Sequence, residues 1–75
     1  MIKIIEMGEG RQWQAEDETD KAIVLKFGYV MSRWDKNRTN KNKKKFRQMW
    51  IKVEANCGHT LNRTAGIDRD EVFNG

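Results

Sequence analysis

The sequence predicts a small, β-rich α+β domain: an antiparallel sheet or open barrel with one long, basic-tipped hairpin. Three observations lead there. Residues 22–34 (AIVLKFGYVMSRW) are strand-forming types, and Ile23, Leu25, Phe27, Tyr29 and Met31 alternate onto one face. A second apolar run, 46–55, follows a polar Asn- and Lys-rich stretch, as two strands follow each other around a turn. Short β-branched or aromatic runs at 2–7 and 11–15 flank the turn signal Gly8-Glu9-Gly10. The alternative is two helices, 20–34 and 43–57, on a short N-terminal hairpin.

In chain order, Ile2, Ile4 and Ile5 favour a first strand over 2–7. In 11–15, Trp13 is expected to face inward and Gln12 and Gln14 outward. Residues 16–20 read as an acidic loop, solvated or paired in the free protein with the basic stripe at 33–52, shielding it until a partner competes. For 22–34 the helical reading puts Ile23, Phe27, Val30, Met31 and Trp34 on one stripe, with Asp20 as N-cap. Gly28 would cost that helix about 1 kcal/mol relative to Ala, which favours the strand. For 46–57 the helical stripe is Phe46, Met49, Trp50, Val53 and Cys57, closed by Gly58; the strand reading pairs Met49, Ile51 and Val53. A further strand is expected at 59–65, and Asp68 to Phe73 as one helical turn.

With 75 residues, 1–75 forms a single small domain. Its hydrophobic fraction of 37% beside 35% charged residues makes a thin core, of the kind that a staple or partner usually supports. A homodimer burying Trp13, Tyr29 or Trp50 would supply one. No apolar run approaches the ~20 residues of a membrane-spanning helix, and no secretory signal is evident, so no membrane partner is expected. One cysteine and no disulfide pair suit a reducing cytoplasm.

The net charge of +4 conceals an asymmetry. Residues 33–52 hold nine basic side chains against Asp35 alone, a local +8, and the rest of the chain is at −4. Such a stripe is the electrostatic footprint of a phosphate-backbone binder, and equally of a patch that meets an acidic protein surface. The candidate binding residues are Arg33, Lys36, Arg38, Lys41, Lys43, Lys44, Lys45, Arg47 and Lys52, with Trp34 and Trp50 (and Phe46 beside them) as flanking aromatics on which bases could stack. The competing reading makes the aromatics core and the lysines a solvated loop.

Cys57-Gly58-His59 is the one clustering of soft ligands, and it lacks the second pair that a zinc site needs. The run from Trp50 to Gly58 resembles the first knuckle of small zinc-ribbon modules found on some phage nucleic-acid-binding proteins, with Val53 and Ala55 where such a knuckle has cysteines. The resemblance implies strand-turn-strand here without metal. No cofactor is expected. A Cys–His pair two residues apart, with no third group to orient the imidazole, gives catalysis little footing, so the protein is expected not to be an enzyme. Two functions remain: a nucleic-acid-binding accessory protein with little base specificity, or a small regulator or inhibitor that binds another protein, including one that handles nucleic acid. Very short proteins of this kind are common as phage-encoded accessory factors.

Overall fold

A computed structural model describes residues 1–7 and 10–74. The element order is β1 (Lys3–Met7), β2 (Gly10–Gln14), α1 (Glu18–Lys36), α2 (Asn40–Cys57), β3 (Arg63–Thr64), β4 (Ile67–Asp68) and α3 (Arg69–Phe73). The class is mixed α+β but mostly helical. The expected β-rich sheet or barrel is therefore corrected to two long antiparallel helices with a two-stranded antiparallel hairpin before them and a second, minimal one after them. This is the two-helix alternative, with α1 two residues longer than 20–34 at each end and α2 three residues longer than 43–57 at its N-terminal end.

The first hairpin pairs Lys3 with Gln14 and Ile4 with Trp13. Trp13 is half-buried, its ring 5.8 Å from Phe27, and Gln12 and Gln14 are exposed, as the alternation predicts. The Gly8-Glu9 part of the expected turn lies outside the described residues.

The N-cap of α1 is Asp17, not Asp20: the Asp17 carboxylate accepts from the Asp20 N–H at 2.8 Å. Asp20 is buried one turn further on, where its Oδ2 meets the Met1 ammonium at 2.9 Å. That hydrogen bond, and then the Asp20 charge, raises the amino group above its ordinary value of 8.0. The acidic run spends its charges locally. Glu18 contacts Lys21 at 3.5 Å and Glu16 approaches Lys3 at 3.9 Å, both partners lying outside residues 33–52.

The segment expected as a hairpin tip is mostly helix. Only residues 37–39 turn. Thr39 caps α2 by accepting from the Asn42 N–H, and the buried Asn42 amide donates to the carbonyls of Asn37 (2.7 Å) and Arg33 (3.4 Å), closing the connection from inside. At the far end Gly58, at φ 81°, ends α2 in the left-handed conformation, and its N–H bonds to Glu54 O. The strand-turn-strand implied by the zinc-ribbon resemblance is thus a helix terminus.

The core forms along the α1–α2 seam from Ile23, Phe27, Val30 and Trp34 on one helix and Phe46, Met49, Trp50, Val53 and Cys57 on the other. The rings of Phe27, Phe46 and Trp50 meet pairwise at 5.3–5.8 Å. The C-terminal segment docks on α2 through polar anchors. Trp50 Nε1 donates to Leu61 O (2.9 Å), and Glu54 accepts from Leu61 N (2.8 Å) and from Arg69 Nε and Nη2 (3.0 and 3.1 Å). The β3–β4 turn is Ala65-Gly66, both at positive φ, as a two-residue hairpin of the primed type requires. The expected strand at 59–65 is reduced to Arg63–Thr64, and the terminal helical turn is α3.

Candidate nucleic-acid interface

One flank of the α1–α2 seam is covered. Trp13 lies on Phe27 there, and Leu61 and the α3 end pack on α2. The other flank is an open groove. Its depressions are lined in succession by Glu18, Ala22, Lys26, Met49 and Lys52; then by Tyr29, Val30, Arg33, Asn42 and Lys45; then by Ser32, Lys36 and Asn37. Because the helices are antiparallel, Lys26 faces the Lys52 end of α2 and Arg33 faces Lys45. Seven residues separate the two cations on each helix, about 10 Å at ~1.5 Å per residue. The groove is thus walled by Lys26, Arg33, Lys36, Lys45 and Lys52, all exposed, with Glu18 at one end. Among the described residues, no carboxylate forms an ion pair with any of these five.

Comparison of the chain with protein-family models, curated proteins and solved structures gives no match.

The groove gathers Arg33, Lys36, Lys45 and Lys52 from the stripe, and Lys41 follows the same face of α2 at i−4 from Lys45. Lys44 stands on the outer face of α2 with Gln48 and Ile51. Arg38 and Lys43 lie against the Trp34 ring, at 5.5 and 5.8 Å from its centroid, and Arg38 also approaches Asp35 at 3.5 Å. Arg47 serves the fold: Nε donates to Val72 O and Nη2 to Phe73 O (3.1 Å), tying the end of α3 to α2. The three aromatics expected to stack bases are core. Phe46 and Trp50 are wholly buried and Trp34 is 6% exposed, because each falls on a helical stripe that faces the seam. Trp50 is equally out of reach of a dimer contact.

Lys26, Tyr29 and Asn42 are among the groove residues outside the predicted set. Lys26, Tyr29 and Arg33 stand at i, i+3 and i+7, so the helical reading of 20–34 would have put them on one line beside the core stripe. Arg33 Nη1 donates to the Tyr29 hydroxyl at 3.0 Å, and its guanidinium carbon is 5.6 Å from the Tyr29 ring centroid.

The helix ends carry charge of both kinds. Arg33 and Lys36 sit in the last turn of α1, where the negative end of the dipole favours them. The first turn of α2 has no acidic residue and includes Lys41 and Lys43. A cation at that positive end costs ~0.3–1 kcal/mol, a cost that bound anions would offset.

Cys57 is buried, its thiol directed at the carbonyls of His59 (3.4 Å) and Glu54 (3.6 Å). Among the described residues, no group of three His, Cys, Asp or Glu side chains is placed to hold a metal. No helix among them is long and apolar enough to cross a membrane.

Proposed function

We propose that this protein is a non-enzymatic nucleic-acid-binding accessory protein that acts in the cytoplasm and uses the α1–α2 groove with little base specificity. The observation that carries the reading is the convergence of five cations from two helices on one open seam, with no ion-pair partner among the described carboxylates. Folding brings these charges together at a repulsive cost, which a polyanion lowers. The groove also has a backbone-reading character. Lys and Arg reach phosphate oxygens, and the Asn42 amide that lines the groove is already spent on the carbonyls of Asn37 and Arg33.

Mobility shift and fluorescence anisotropy with nonspecific single strands and duplexes test this. If the five groove cations each engage one phosphate, log K falls against log salt with a slope of about −3.5 for single strands and about −4.5 for duplex DNA. Absence of binding at low salt would remove the proposal.

A second reading is favoured by Leu25 and Ile51, which are 75% and 53% exposed on the outer helix faces. Apolar side chains beside cations suit an acidic protein surface, and the protein would then be a regulator or inhibitor of that partner. A second copy of this chain is a further candidate for the same apolar positions.

A further inference from the structure

We propose that Tyr29, braced by Arg33, is a base-stacking platform that makes single-stranded nucleic acid the preferred ligand of the groove. The inference rests on the proposed nucleic-acid function and names the form of ligand.

Tyr29 is the aromatic that folding leaves uncovered at this site. It is 60% exposed, while Trp34, Phe46 and Trp50 are withdrawn into the core. It lies midway along the groove, on the shared wall of two depressions that also hold Arg33 and Asn42. Its ring is oriented rather than loose, because the hydroxyl accepts from Arg33 Nη1 at 3.0 Å and the guanidinium lies 5.6 Å from the ring centroid. Cations continue on both sides: Lys26 one turn before it, Lys45 across the seam, and Lys36 two turns on. A planar ring set in a line of phosphate-binding cations is the combination that holds a strand through backbone and base faces together.

The ligand's form follows from what a base can offer. In a duplex both faces of each base are already stacked, so an aromatic side chain gains nothing there without unstacking a step. A single strand presents free faces. The cations serve either form, but Tyr29 serves only one.

The test measures anisotropy at low salt with the full chain, labelled polyglutamate and three labelled nucleic-acid probes of equal length: oligothymidylate, an abasic strand with the same phosphates, and a duplex. The variants are Tyr29→Leu, which keeps an apolar side chain of similar bulk, and Tyr29→Phe, which keeps the ring. Wild type is expected to bind oligothymidylate more tightly than the abasic strand. Tyr29→Leu should weaken oligothymidylate binding by about 5- to 150-fold per stacked base, down to the abasic level, with duplex and abasic affinities unchanged. Tyr29→Phe should keep most of the preference. Unchanged oligothymidylate affinity in Tyr29→Leu, or an equal loss on the duplex, overturns the platform while leaving the nucleic-acid function standing. Failure of wild type to bind any probe at low salt removes both. Equal binding of polyglutamate and oligothymidylate would assign the groove to acidic protein surfaces and overturn the platform.

Discussion

Replacing Lys26, Lys45 and Lys52 together with Ala removes three of the five groove cations without touching the core, since all three side chains are exposed. The expected loss follows from counterion release. Each phosphate contact adds about 0.7 to the salt slope for a single strand and about 0.9 for a duplex. At 0.1 M salt, one decade below the 1 M reference, three lost contacts lower affinity by about 2.1 log units for single strands and about 2.7 for duplex, or roughly 100- and 500-fold. The two forms should converge with wild type as salt approaches 1 M. Anisotropy titrations at four or five salt concentrations measure both affinity and slope. Lys44→Ala is the matched control, because Lys44 stands on the outer face of α2. Its sequence neighbour Lys45 lines the groove, and charges are screened over a Debye length of roughly 10 Å at this salt, so a small effect is expected, well below one groove contact. Thermal stability should be unchanged or slightly higher, since three mutually repelling charges are gone. An unchanged salt slope in the triple variant, or a Lys44→Ala effect as large as that of the triple, would refute the assignment of binding to the groove.

Trp34→Ala should destabilise by ~3–5 kcal/mol and leave much of the chain unfolded, whereas Trp34→Phe should cost far less, because the buried indole N–H has no partner to lose; urea melts followed by circular dichroism separate the two. Gly28→Ala should stabilise by ~0.5–1 kcal/mol, since the position is helical and exposed and a Cβ there meets nothing within 4 Å; a lower melting temperature would contradict this. The Met1 ammonium is raised by Asp20, so the stability it contributes is full below the ordinary amino value of 8.0 and lost as pH rises through the raised value. The stability difference between wild type and Asp20→Asn, from denaturant melts, should therefore shrink from pH 7 to pH 10.

Why 22–34 reads as a strand can be stated in magnitudes. Its residue types fit period two, and Gly28 counts against a helix by about 1 kcal/mol. The helix buries Ile23, Phe27, Val30 and Trp34 against the facing stripe of α2, and each large apolar side chain gains ~1.5–3 kcal/mol on burial. The glycine penalty is outweighed several times over, but only once the partner stripe is in place, and a single segment does not display its partner. Local signals did point to helices: Asp17 and Thr39 as caps and Gly58 as terminator. Of these, Gly58 was legible because its reason is backbone geometry. The cap of α1 was misplaced onto Asp20, which is drawn instead into the core by the chain's own amino group. Lys41 to Lys45 read as a loop because they are polar and uniform, yet lysine is a good helix former, and Asn42 buries its amide to complete the turn.

The site was legible as charge and not as shape. A basic stripe counted along the chain treats neighbours in sequence as neighbours in space. In an antiparallel helix pair the residues that share a groove are instead Lys26 with Lys52 and Arg33 with Lys45, and Lys26 lies outside the stripe altogether. The same geometry divides the stripe by task. Arg47 hydrogen-bonds two carbonyls at the end of α3, and Arg38 and Lys43 rest on Trp34. Those three hold the fold where it would otherwise fray, at the inter-helix turn and the C-terminal segment. The cations that face the groove have no ion-pair partner among the described carboxylates and come from both helices, so binding is assigned to the seam rather than to the contiguous run of lysines.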